Sequence, residues 1–186
     1  MDNRDIYRFT RSFVGGRAEV YAYYDAKKTK SIDIMTSSDT MYTKVDVYST
    51  IGLSETDIGL RAGSRRLGVE LIGVSDKGDE IMANILATVA FEVMDKKDCF
   101  WGKVFSDAVS AYDDTYDAKH IVLLTPEFWE GYHQLETPKE VIAWLLLVPI
   151  SDAEKSFIDQ NGINAFEDVL ARQNTDITDR KRKSFI

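Results

Sequence analysis

Apolar residues recur along this chain with two periods, and the switches between them predict a succession of short strands and helices. Ile6, Phe9 and Phe13 fall at helical spacing between Asp2 and Phe13, and Gly15-Gly16 follows as a stop signal, so 2–13 reads as an opening helix. From Arg17 to Asp25 the period becomes two, with Ala18, Val20, Ala22 and Tyr24 on one face. The polar run Ala26-Lys27-Lys28-Thr29 suits a hairpin turn into Ser31–Thr36, where Ile32 and Ile34 share a face. Lys44–Ile51 alternates again through Val45, Val47, Ser49 and Ile51. Three successive strands with polar turns predict an antiparallel meander.

Leu53–Arg66 holds Gly59 and Gly63 among few periodic apolar positions and reads as a surface loop, followed by a strand over Leu67–Val74. Ile81, Ile85, Leu86, Val89 and Val93 form one uninterrupted stripe, which predicts a helix over Asp79–Asp95. The continuous apolar runs His120–Thr125 and Val141–Val148 suit central strands covered on both faces. Between them Pro126–Pro138 reads as a loop rich in aromatic and acidic residues, and Pro149, which lacks an amide, is expected to end the second strand.

Ser151-Asp152-Ala153-Glu154 is a capping box opening a helix that Gly162 ends, and Ile163, Phe166, Val169 and Leu170 line a last helix. The expected fold class is α+β: a mostly antiparallel, mixed central sheet packed by helices. One domain is expected over 1–186, with a C-terminal tail, 174–186, left free to be flexible.

Composition narrows the function classes more than the fold. Apolar residues make up 44% and charged residues 29% of the chain, ordinary globular values. No apolar run approaches the ~20 residues a membrane helix needs, and the start Met1-Asp2-Asn3-Arg4-Asp5 has no signal-peptide pattern, so a cytoplasmic protein is expected. The net charge of -8 disfavours nucleic acid and membrane surfaces and favours basic protein partners, although solubility alone accounts for such a charge.

Catalytic patterns are not evident. His120 and His133 are the only imidazoles and lack metal-binding spacing, and no Gly-x-Ser-x-Gly elbow or phosphate loop is present. Cys99, the single cysteine, has no adjacent base and reads as a partly buried structural thiol. Asp113, Asp114 and Asp117 lack the spacing of a calcium loop and read as a solvated acidic turn. No catalytic residue, metal or cofactor is expected. Arg61, Arg65 and Arg66 cluster in one loop, and Arg180-Lys181-Arg182-Lys183 forms a basic run that suits a solvated tail or an intramolecular partner for the acidic surface.

Three blocks carry a resemblance: Tyr48-Ser49-Thr50-Ile51-Gly52-Leu53-Ser54, then Leu145 to Glu154 (Leu-Leu-Leu-Val-Pro-Ile-Ser-Asp-Ala-Glu), and Asp176-Ile177-Thr178-Asp179-Arg180, with His120 to Pro126 between them. Their order and spacing resemble the suppressor of fused family over roughly residues 40 to 186. The resemblance implies the fold of that family's amino-terminal domain and a role in holding another protein. In the animal members a second domain completes a clamp around an extended peptide of a transcription factor. The resemblance implies a chain that ends with the first domain.

The animal site also fails to transfer. Its acid corresponds to Lys103 in Trp101-Gly102-Lys103, and its assisting tyrosine falls near Phe91. Compact bacterial members resemble immunity proteins, which implies a non-catalytic antitoxin that neutralises a cognate toxin, such as a nuclease, by occluding its active site. A scaffold that sequesters a regulatory protein is the alternative. An unrecognised hydrolase is the third.

For a protein partner, aromatics beside acids in loops are the expected contact residues. These are Tyr112, Asp113, Asp114, Tyr116, Asp117, Phe128, Trp129, Glu130, Tyr132 and Glu136. Trp129→Ala is expected to weaken binding without lowering thermal stability. Exposed sheet edges leave the oligomeric state open.

Overall fold

A computed structural model describes residues 2–40, 44–127, 129, 134–173 and 175–186. The opening helix α1 (Asn3–Val14) is capped by Asp2, whose carboxylate accepts the Arg4 and Asp5 amides. It gives way at Gly16 to β1 (Arg17–Tyr24), β2 (Ser31–Ser38) and β3 (Val45–Ile51), which form the expected meander. Gly16 has φ +73°, and a Cβ there would lie 2.3 Å from the Ser38 carbonyl oxygen, so only glycine lets helix and strand meet this closely.

The segment read as a loop after β3 is partly ordered into elements. A 3-10 turn (Leu53–Glu55) leads to β4 (Arg61–Ala62), which hairpins onto β5 (Arg65–Asp76). Then come α2 (Ile81–Lys96), β6 (Val104–Phe105), β7 (Ala118–Leu124), β8 (Gln134–Glu136), β9 (Glu140–Ser151), α3 (Asp152–Asn161) and α4 (Ile163–Gln173). The strands form one mixed, mostly antiparallel sheet in the order β1-β2-β3-β5-β9-β7-β6, with β4 beside β5 and β8 beside β9. β5 and β9 are parallel.

Pro149 does not end β9. The strand pairs with β5 only from Glu140 to Leu146, while pairing with β7 continues to Ser151. The Pro149 carbonyl accepts from Arg182 Nη2 at 2.9 Å. Within a strand, N–H and C=O of one residue point to the same side, so the missing amide faces the side that β5 has already left.

The sheet separates two cores. Ile34, Leu71, Leu123 and Leu147 pack under α2, whereas Met35, Ile72, Val122, Trp144 and Val148 pack under α1, α3 and α4. Phe9 of α1 lies on Trp144 with ring centroids 5.0 Å apart. At the β1 edge Val20 and Tyr24 on one face and Tyr21 on the other all stay exposed despite the alternation. Among the described residues no helix is long and apolar enough to cross a membrane.

Candidate functional site

The three sequence blocks turn out to be held by hydrogen bonds and ion pairs of buried Glu70, Glu154 and Arg180. Glu70 on β5 is fully buried and faces the turn after β3. Its Oε1 accepts the Gly52 and Ser54 amides, each at 3.0 Å, and its Oε2 accepts Thr50 Oγ1 at 2.6 Å and the Leu53 amide at 3.2 Å. Burial pushes the Glu70 carboxyl above the usual carboxylate range, opposed by these donors. In the second block, Ser151 and Glu154 form the capping box, with Glu154 Oε2 accepting the Ser151 amide at 2.9 Å. Arg182 then grips both oxygens of Glu154.

Arg180, from the third block, bridges two loops. Its Nε donates to Asp79 Oδ2 and its Nη1 to Asp113 Oδ2, both at 2.6 Å, and its guanidinium lies 5.6 Å from the Tyr116 ring centre. Lys181 pairs with Asp76 at 2.9 Å and Lys183 with Asp117 at 3.3 Å. The basic run therefore has an intramolecular acid for each of its members. Arg61, Arg65 and Arg66 are likewise paired, with Asp57, Glu136 and Glu140.

These pairings change the reading of the candidate contact residues. Asp113, Asp114 and Asp117 hold Arg180, Lys119 and Lys183 and are not merely a solvated turn. The Arg180 guanidinium keeps the Asp113 carboxyl down at about 2. Tyr112 is exposed, and its hydroxyl shares a 2.6 Å hydrogen bond with Thr88 on α2. Trp129 is only 5% exposed and belongs to the core under α1, α3 and α4, so its place in the loop does not make it a surface anchor. Phe128, Glu130 and Tyr132, like His133, lie outside the described residues.

The structure also separates what the sequence grouped. Glu136 on β8 is opposite Val141, near the start of β9, whereas Ala118, which follows the acidic turn, is opposite Ser151 at its end. Ten strand residues at about 3.3 Å each put the two sets roughly 30 Å apart. Tyr112, by contrast, adjoins α2, whose residue Asn84 lies one turn before Thr88 and lines a cleft against β1–β3. Sequence reasoning missed that cleft because its acids, Glu19 on β1, Asp46 on β3 and Glu80 at the start of α2, are far apart in the chain.

Groups with catalytic potential have structural occupations. His120 Nδ1 accepts the Asp107 amide at 2.9 Å, which leaves Nε2 as the donor to Asp152 Oδ1, also at 2.9 Å. The ring thus ties the turn after β6 to the start of α3. Cys99 is buried, and burial pushes its thiol up to about 12, so it is not a nucleophile near neutral pH. Lys103 pairs with Asp98 and lies 5.7 Å from the Phe100 ring centre. No group of three or more metal-ligating side chains occurs among the described residues.

The architecture is that of suppressor of fused proteins. A homologue of that protein from Neisseria gonorrhoeae superposes with a TM-score of 0.80 at 15% identity, covering 99% of this chain and 96% of the other. Drosophila suppressor of fused superposes with a TM-score of 0.56 at 13% identity, over 90% of this chain but 42% of that protein. The chain belongs to the suppressor of fused family, whose model matches residues 28–183. It is also similar to immunity protein YqcF of Bacillus subtilis, 33% identical over 187 residues that span 100% of this chain and 97% of the relative.

Proposed function

We propose that this chain is a non-catalytic immunity protein that binds a cognate toxin and blocks its active site. The observation that carries the reading is the similarity to an immunity protein along essentially the whole of both chains. Structural occupations for His120 and Cys99 fit a binding role better than a catalytic one. The net charge of -8 suits a basic partner by speeding encounter.

The surface proposed for binding runs from Tyr112 across Thr88 to the amino-terminal half of α2. Glu136 sits too far away to share one small contact patch with it. A tagged chain recovered from its native cells, with bound proteins identified by mass spectrometry, tests the reading. A single toxin in one-to-one yield, whose toxicity this chain suppresses on co-expression, is the expected result. Recovery of a regulatory protein whose activity is sequestered would replace immunity with a scaffold role.

A further inference from the structure

Between the amino-terminal half of α2 and the face of β1–β3 lies an open cleft of about 520 Å³. Glu19, Asp46 and Glu80 contribute three carboxylates to its lining, Tyr21, Tyr23 and Tyr48 contribute three rings, and among the described residues no Lys or Arg lines it. The strand register builds this row. Glu19 on β1 is opposite Thr36 on β2, which is opposite Tyr48 on β3, so the three side chains project from one face. Asp46 lies two residues before Tyr48 on the same face.

Asp46 is the informative member. It is 4% exposed, and its Oδ2 accepts the Gly78 amide at 2.8 Å. Its Oδ1 has no hydrogen-bond partner among the described residues. A buried carboxylate oxygen without a donor is costly, and each such group in a native fold calls for an explanation. Lys77, which feels the Asp46 charge, is exposed and committed to Asp39 at 2.6 Å.

We infer that this cleft receives an arginine side chain of the protein partner, with the guanidinium between Asp46 and Glu80 and its plane against the tyrosine rings. Guanidinium suits the lining because it supplies several donors in one plane to carboxylates and stacks favourably on aromatic faces. A lysine ammonium would satisfy the acids but would not use the rings as well. The inference takes from the proposed function only that the partner is a protein, and it adds where one cationic side chain of that partner binds. Tyr112 continues the same surface through Thr88, one turn of α2 beyond Asn84.

The experiment uses the isotope-labelled full chain and Nα-acetyl-arginine amide as probe, with the uncharged citrulline analogue as control. The expected result is saturable shifts of the Gly78 amide and the Tyr48 ring in the millimolar range at low salt with the arginine compound alone. Asp46→Asn should weaken that binding about tenfold. Glu80→Gln alters an exposed residue and should weaken it several-fold without touching the fold.

Shifts that fail to saturate, that appear equally with citrulline, or that survive both substitutions overturn the inference. The probe is not the toxin, so a negative titration removes the arginine site and leaves the immunity reading standing. A native-cell capture that yields no toxin removes the immunity reading and leaves the titration unaffected.

Discussion

Arg182 holds both carboxylate oxygens of Glu154, Nη1 on Oε1 at 2.6 Å and Nη2 on Oε2 at 2.9 Å, across 28 residues of chain. Glu154 is fully buried and also accepts the amides of Ser151 and Phe185. Removing the arginine leaves a buried charge with amide donors alone. Arg182→Ala should therefore cost about 3 kcal/mol or more in urea unfolding, and Arg182→Lys, which cannot make the paired contact, should fall between it and the parent chain. A loss no larger than that of an exposed ion pair would contradict the account.

Acid should release the C-terminal segment before it dissolves the sheet. The Arg180 guanidinium holds Asp113 at about 2, below its ordinary 3.8, so this pair contributes its full stability above pH 3.8. That contribution fades as pH falls through about 2, because the carboxylate takes up a proton while Arg180 stays charged. Asp117 is lowered in the same direction by the Ser184 amide and Lys183. Hydrogen exchange in 176–186 should accelerate between pH 4 and 2 ahead of the α2 amides.

Thr50→Val tests whether the first sequence block is structural. The Thr50 hydroxyl donates to Glu70 and accepts the Leu71 amide at 2.8 Å, and valine keeps the shape while removing both bonds. A loss of about 1–3 kcal/mol is expected, measured by chemical denaturation. Unchanged stability would mean that the Glu70 contacts contribute little net.

Trp129 and Tyr112 should separate cleanly. Trp129→Ala should lower stability by about 3–5 kcal/mol, as a core deletion does. Tyr112→Ala should stay within about 0.5 kcal/mol while weakening partner affinity if the proposed surface is correct. Thermal unfolding of both variants, followed by affinity for the captured partner, gives the comparison.

What was legible in the sequence was local. The Ser151–Glu154 capping box spans four residues, and the α2 stripe and the strand alternations repeat over short windows. β4, β6 and β8 contain two or three residues each, too few for a period to show. The aromatic loop misled at Trp129 because composition does not say which way a ring turns. Arg180 and Asp113 lie 67 residues apart, and the register that opposes Glu136 to Val141 is set by the folded sheet. Candidate contact residues could be listed from sequence, but their division into separate places could not.

Residues 180–185 also give the domain a chemical dependence on a segment that lies beyond its last helix. A nascent chain halted at Asp179 already contains every helix and strand of the described fold, yet its Glu154 would be buried beside an empty place for a guanidinium. Ribosome-bound chains should therefore remain loosely closed at α3 until residues 180–185 emerge. Proteolytic cleavage between Asp179 and Arg182 should return a folded molecule to that same state.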